Sequence, residues 1–115
     1  MLVADDGGKV VAFGVCQVCE DALHLWELAV RHERQGMGIG RAIVEACAEL
    51  AGRRGLPAMT LSTLRNIAWN APFYRGLGFI EVADDALNSR LAFIRARETS
   101  IGLDVANRCA MRLPL

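Results

Sequence analysis

The chain has 115 residues, and its thirteen basic and thirteen acidic side chains give no formal net charge at pH 7. Nucleic-acid binders usually carry a basic excess, because phosphate neutralisation supplies most of their affinity, so the charge balance argues against a nucleic-acid partner. Hydrophobic residues make up 53% of the sequence, which favours a single folded domain over residues 1–115. No apolar run reaches the roughly 20 residues of a membrane helix, and no secretion signal opens the chain, so we expect a cytoplasmic protein without a membrane partner.

The N-terminal part of the sequence predicts three consecutive strands joined by tight turns. Residues 2–4 form a short strand, and Asp6-Gly7-Gly8 has residue types that tolerate positive φ in a hairpin turn. Residues 9–18 are rich in β-branched side chains, and residues 23–30 follow a second turn at Glu20-Asp21. Three strands joined in this way form a local antiparallel meander.

The hydrophobic period changes to that of a helix after Gly38. One apolar stripe recurs every three or four residues and consists of Ile39, Ile43, Ala46, Cys47 and Leu50. Gly55 supplies a C-terminal cap for this helix, and residues 58–64 form the next strand. A long helix therefore connects the third strand to the fourth.

The second half of the sequence alternates helices and strands. We expect a helix over residues 70–77, a strand over 79–83, a third helix, and a last strand over 109–113. Combined with the N-terminal meander, this order predicts an α/β fold with a mixed, mostly antiparallel sheet and flanking helices.

The third helix is predicted from its cap and its stripe. Asp84 or Asp85 can cap its N-terminus. The apolar stripe consists of Leu87, Leu91, Ile94 and Ile101. By their spacing, the arginines within residues 90–97 fall on the other side, so we expect them to face solvent.

The four cysteines are compatible with free thiols or with a metal site. Cys16 and Cys19 have the spacing of half a zinc site, but residues three apart on a strand point to opposite faces. No second pair, including Cys47 and Cys109, has ligand spacing. We therefore expect buried free thiols and no metal.

A glycine-rich loop, Gln35-Gly36-Met37-Gly38-Ile39-Gly40, lies between the third strand and the first long helix. A helix start leaves backbone N–H groups unpaired and its dipole favours negative charge, while glycines let a phosphate approach the backbone. Arg34 and Arg41 can add positive charge beside the loop. The loop therefore suits an anion such as a pyrophosphate.

Two other types of glycine loop do not fit this sequence. A Walker loop needs Gly-Lys-Ser/Thr, whereas this chain has Gly40-Arg41-Ala42. A dinucleotide fingerprint opens directly after its strand and needs an acidic residue near the end of the next strand. Here residues 31–35 intervene, and residues 59–65 contain no acid.

Two motifs frame the first long helix. The pattern Gln-x-x-Gly-x-Gly is met by Gln35, Gly38 and Gly40, and the stretch NAPFYRGLGF at residues 70–79 places a Tyr before Leu-Gly-Phe. Both motifs, with the apolar strand at residues 25–30 before them, resemble the GNAT superfamily of N-acetyltransferases. The resemblance covers residues 9–83 well and the C-terminal part only in outline.

The resemblance implies acetyl-CoA as the acyl donor and an amine as the acceptor. Pantetheine would lie in a V-shaped opening between the strand at residues 25–30 and the strand at residues 59–64, and the pyrophosphate would take the amides of the glycine loop. The implied cofactor-binding residues are Leu28, Ala29, Val30, Gln35, Gly36, Met37, Gly38, Ile39, Gly40, Arg41, Asn70 and Phe73.

The resemblance also implies roles in proton transfer. Tyr74 is the candidate acid that protonates the leaving thiolate, and a strand amide, that of Leu28, would meet the oxyanion. Most alkylamines are protonated at pH 7, so a base must remove a proton before attack. His24 is one candidate for this base. Glu27 is another, although regular alternation points it to the opposite face unless a bulge intervenes.

One departure from the family pattern concerns the start of the domain. GNAT domains normally place a strand and two helices before the hairpin that opens this sequence, so we expect an N-terminally shortened domain. An open sheet edge favours association, and we expect a homodimer. The alternatives are a catalytically incomplete acetyl-CoA-binding module, or a structural subunit completed by a partner chain.

Overall fold

The structure, a computed structural model, describes residues 2–68 and 70–115. They form two compact units. The first contains the chain up to Thr60 together with Pro114 and Leu115, and the second contains Leu61–Leu113. Within the described residues, no helix is long and apolar enough to span a bilayer.

The first unit opens with three strands, β1 (Leu2–Asp6), β2 (Lys9–Val18) and β3 (Leu23–Val30). Both neighbouring pairs are antiparallel, so the predicted meander is confirmed. The β1–β2 turn uses Gly7 at φ 62° and Gly8 at φ 89°, a backbone region that favours glycine.

A β-bulge interrupts the pairing of β2 with β3. Val15 pairs with Glu27, but the next residue on β2, Cys16, pairs with Leu25. Trp26 is therefore an extra residue on β3, and Leu25 and Glu27 point to opposite faces although they are two residues apart. This is the bulge on which the orientation of Glu27 depends.

Helix α1 (Ile39–Arg53) packs on one face of this meander. A Cβ atom placed on Gly14 would lie 2.8 Å from Ile43 Cγ2, so the absence of a side chain at Gly14 allows the helix to approach β2 closely. The buried residues of α1 are Ile43, Val44, Cys47 and Ala51. The predicted stripe is therefore correct at Ile43 and Cys47 but wrong at Ala46, which is exposed, and only half-buried at Leu50.

The second unit contains most of the remaining elements. Strand β4 (Ala58–Leu64) begins in the first unit and ends in the second, and is followed by α2 (Ala71–Gly76), β5 (Ile80–Val82), α3 (Ser89–Ser100) and β6 (Arg108–Pro114). The strand order is β1-β2-β3-β4 in the first unit and β4-β6-β5 in the second, where β5 and β6 are antiparallel. The predicted α/β class, with a mostly antiparallel sheet, is confirmed.

Helix α3 starts later than the sequence predicted. Its cap is Asn88, whose side chain accepts a hydrogen bond from the Leu91 amide at 2.9 Å, while Asp84 and Asp85 lie in a separate 3₁₀ turn. Ile101 follows the helix and is 62% exposed, so its assignment to the apolar stripe was wrong. The stripe instead continues from Leu91 and Ile94 to Glu98, which is buried.

Candidate active site

The glycine loop leads into an uncapped helix N-terminus. Gly36 and Gly38 have φ values of 78° and 79°, and the N-cap residue of α1, Gly38, has no side chain with which to cap the helix. The Ala42 amide donates to the Gly38 carbonyl at 3.0 Å, which closes the first turn. The three helical amides before Ala42 have no carbonyl four residues upstream within the helix, so they are available to an anion.

Gln35 fastens this loop to the end of β3. Its side-chain amide donates to the Val30 carbonyl at 3.2 Å, and its backbone amide donates to the His32 carbonyl at 3.3 Å. The motif glutamine therefore has a structural task that the sequence did not predict, because it sets where the loop leaves the strand. Arg41 is exposed and pairs with Glu45 at 2.8 Å.

His24 lies in the core of the first unit. It is 1% exposed, and its Nδ1 lies 2.8 Å from the hydroxyl of Thr60, which is 2% exposed. The ring of Trp26 meets the imidazole edge-on, with ring centroids 4.4 Å apart. The imidazole is therefore held on two sides and is almost inaccessible to solvent.

Glu27 is exposed and lies on the same face of the meander as His24. His24 pairs with Gln17 and Glu27 pairs with Val15, two residues that share a face of β2. The opposite face, with Gly14, packs against Ile43 of α1. The bulge therefore brings both candidate bases to one face, which regular alternation forbids.

The C-terminal end of β3 is an apolar triplet that is half-buried. Leu28, Ala29 and Val30 are all half-buried, and they pair with the stretch Ala12 to Gly14 of β2. Their other neighbour in the strand order is β4.

Tyr74 and its neighbours lie in the second unit. Tyr74 is 7% exposed, and its ring packs edge-on against Phe73 and Phe79, with centroids 5.1 Å and 5.5 Å away. The Asn70 side-chain oxygen accepts from the Thr63 hydroxyl at 2.9 Å, which ties the start of α2 to β4. The contacts with Phe73 and Phe79 therefore hold the ring of Tyr74, the candidate acid, in place.

The second unit contains a buried ion pair that the sequence did not predict. Glu98, 8% exposed, accepts from the Ser62 hydroxyl at 2.7 Å and from Arg108 Nε at 2.9 Å. Arg95 reaches Asp84 at 3.0 Å and its side chain is only 18% exposed, so its predicted solvent-facing position was wrong. The available signal was the position of Glu98, four residues after Ile94 on the buried stripe.

The cysteines are free thiols, of which Cys47 and Cys109 are buried and Cys16 and Cys19 partly buried. Burial, and then the neighbouring Cys16, raises the pKa of Cys47 from 9.0 to about 12. Among the described residues, no three His, Cys, Asp or Glu side chains converge as metal ligands would.

Comparison with known proteins identifies the family. A family model described as an acetyltransferase (GNAT) domain matches residues 1–81. The [ribosomal protein bS18]-alanine N-acetyltransferase of Escherichia coli (strain K12) is 34% identical over 74 residues, which cover 64% of this chain and 50% of that relative. The chain therefore belongs to the GNAT acetyltransferase family, and its matched segment spans half the length of this curated relative.

Solved structures share the fold. The crystal structure of the E. coli ribosomal-protein-S18-alanine N-acetyltransferase has a TM-score of 0.69 at 24% identity and matches 96% of this chain and 64% of its own. N-acetylglutamate synthase from Neisseria gonorrhoeae, complexed with coenzyme A and N-acetyl-glutamate, has a TM-score of 0.79 at 16% identity, covering 98% of this chain and 25% of its own. PaiA N-acetyltransferase from Thermoplasma acidophilum, in complex with coenzyme A, has a TM-score of 0.70 at 16% identity over 98% of this chain and 58% of its own.

Proposed function

We propose that this chain is an acetyl-CoA-dependent N-acetyltransferase that transfers an acetyl group to a primary amine. The observation that carries the proposal is the uncapped N-terminus of α1 behind Gly36 and Gly38, both at positive φ. Such a terminus can bind an anion, and in a GNAT acetyltransferase the anion would be the diphosphate of coenzyme A.

The donor is held mainly by backbone groups. In this proposal the amides from Gln35 to Arg41 (Gly36, Met37, Gly38, Ile39 and Gly40 between them) bind the diphosphate. The backbone of Leu28, Ala29 and Val30 pairs with pantetheine as an added strand would. Asn70 and Phe73 flank the cofactor from α2. The side chains of Met37 and Ile39 then matter little, because backbone N–H groups make the contacts.

Proton removal from the amine falls to Glu27 in this proposal, with His24 as the alternative. Glu27 is exposed, so an amine from solution can reach it directly. His24 is 1% exposed, so an amine would reach it only through a bridging water. A pH–rate profile separates the two: a limb near neutrality that His24→Gln abolishes would support His24 and exclude Glu27 as the base.

Tyr74 is the proposed acid for the departing thiolate of coenzyme A, and the Leu28 amide is the proposed oxyanion donor. Tyr74→Phe keeps the ring contacts with Phe73 and Phe79 and removes only the hydroxyl. We expect turnover to fall by about 10²- to 10⁴-fold with nearly unchanged coenzyme A affinity. An unaltered rate would remove the acid assignment.

Calorimetry and a thiol-release assay test the function in two stages. Titration with coenzyme A asks whether the folded chain binds the donor, and an absence of binding at high micromolar ligand rejects the proposal. Thiol release from acetyl-CoA is then followed with an amine panel that includes a peptide with N-terminal alanine, the residue named for the E. coli relative. Binding without turnover of any amine would instead indicate an acetyl-CoA-binding module.

We also propose that the chain forms a homodimer and acts in the cytoplasm. Strand β1 stands at the outer end of the strand order of the first unit, and an unpaired strand edge favours association. Beside it lies an apolar groove of about 450 Å³ lined by Ala4, Met37, Gly38, Ile39, Ala42, Ile43 and Ala46. Sedimentation equilibrium tests this, and a monomer at micromolar concentration would contradict it.

A further inference from the structure

Three side chains of β3 share the face of the meander that points away from α1. His24 and Glu27 lie there by register, because they pair with Gln17 and Val15. Trp26 lies there by contact, since its indole Nε1–H donates to Gln17 Oε1 at 3.0 Å and its ring meets that of His24. We call Trp26 and Glu27, held side by side in this way, the bulge pair.

The bulge pair combines a fixed aromatic ring with a carboxylate. Trp26 is 51% exposed, its N–H is already used by Gln17, and its ring stands at 66° to that of His24. Because His24 can cover at most one face of the indole, the exposed half of the ring offers π-surface to solvent. Glu27 is exposed beside it, and among the described residues its carboxylate has no hydrogen-bond or ion-pair partner. A ring face and an anion that point to solvent together match a cation.

We propose that the bulge pair docks the ammonium group of the acceptor, so that Trp26 and Glu27 set the preference of this chain for cationic over uncharged acceptors. Alkylamines carry a positive charge at neutral pH, whereas the conjugated lone pair of an arylamine stays unprotonated. An uncharged acceptor would cover Glu27 without compensating the loss of its hydration. This inference rests on the proposed acetyltransferase function and specifies its acceptor.

A pair of isosteric probes isolates the charge. Choline and 3,3-dimethylbutanol have the same shape, but only choline is cationic, and neither carries an amine N–H that could be acetylated. Binding is followed through the ¹⁵N-labelled indole resonance of Trp26, in a Trp69→Phe background that leaves one indole in the chain. We expect choline to shift this resonance with a millimolar Kd and the neutral probe to leave it in place.

Variants test each half of the bulge pair. Glu27→Gln should weaken choline binding about two- to fivefold, whereas Glu49→Gln, the same change at an exposed position of α1, should leave it unchanged. Replacing Trp26 by 5-fluoro- and 5,7-difluorotryptophan keeps its shape but withdraws π-density. Choline affinity should fall stepwise in this series, which remains informative even if a Trp26 substitution prevents folding.

The outcomes separate this inference from the proposed function. Equal shifts by both probes, no shift by choline, or an affinity unaffected by fluorination would each overturn the bulge pair as a cation site. Coenzyme A titrated into the same samples gives an independent result: binding of coenzyme A without choline refutes only this inference, and binding of choline without coenzyme A refutes only the acetyltransferase proposal. If both bind, turnover of aniline at the rate of cadaverine would overturn the acceptor class.

Discussion

The geometry of the glycine loop makes a quantitative prediction for Gly38→Ala. Gly38 has φ 79° and ψ 7°, and an added Cβ would meet no heavy atom of the described residues within 4 Å. The substitution therefore clashes with none of these residues, and its cost to the fold is the backbone penalty of an L-residue in the left-handed region, about 1–2 kcal/mol. For a chain of this size that corresponds to a Tm lower by roughly 4–8 °C.

Gly55→Ala is the matched control. Gly55 has φ 70° and also faces open space, but it lies after the C-terminal end of α1. Its substitution should also lower the unfolding free energy by about 1–2 kcal/mol, but it lies outside the proposed anion site. Any difference between the two variants in ligand binding then reports on the loop and not on lost stability.

Coenzyme A affinity should distinguish the two variants. In the proposed complex a methyl group at Gly38 would stand where a phosphate oxygen approaches the amides, and loss of one charge-assisted hydrogen bond costs about 1.5–3 kcal/mol, or roughly 10- to 100-fold in Kd. Calorimetry should find this loss for Gly38→Ala and wild-type affinity for Gly55→Ala, while pantetheine, which lacks the diphosphate, should not discriminate. Wild-type affinity of Gly38→Ala for coenzyme A, or equal impairment of Gly55→Ala, would contradict this prediction.

Three further predictions concern stability. Gly14→Ala places a methyl group 2.8 Å from Ile43 Cγ2 and should lower the unfolding free energy by about 1–3 kcal/mol in urea denaturation; a neutral result would mean that α1 shifts freely on β2. Glu98→Gln leaves Arg108 without its carboxylate and should cost about 1–3 kcal/mol, whereas a loss below about 0.5 kcal/mol would show that this ion pair contributes little. Between pH 9 and pH 12 the unfolded Cys47 thiol ionises while the folded one keeps its proton, so stability should fall by about 1.4 kcal/mol per pH unit, and Cys47→Ala should reduce that slope.

Patterns that depend on neighbouring residues were predicted well. The strands Lys9–Val18, Leu23–Val30 and Ala58–Leu64 have the predicted limits, because β-branched runs bounded by turn residues specify them locally. The predicted start of α3 was wrong because Asp84, Asp85 and Asn88 can all cap a helix, and only the structure shows that Asn88 accepts the hydrogen bond from the Leu91 amide.

Features that depend on distant partners could not be predicted. An extra residue at Trp26 leaves the strand signal of β3 intact, and its effect on Glu27 follows only from the register with β2. Glu98 looks like a surface residue until its partners are known, and these lie ten residues later at Arg108 and thirty-six residues earlier at Ser62. The shape of the glycine loop, with Gly36 and Gly38 at positive φ, is a local property because glycine alone adopts that backbone region readily.

The extra residue in β3 also bears on how this chain can diverge. Leu25 and Glu27 keep their partners on β2 whatever residue stands between them, because Trp26 takes no place in the ladder. Substitution at this position therefore alters the contacts with Gln17 and His24 without shifting the register of the strand. Under the proposal that the bulge pair docks the acceptor, a change at Trp26 would alter acceptor preference and leave the backbone of Leu28, Ala29 and Val30 in place.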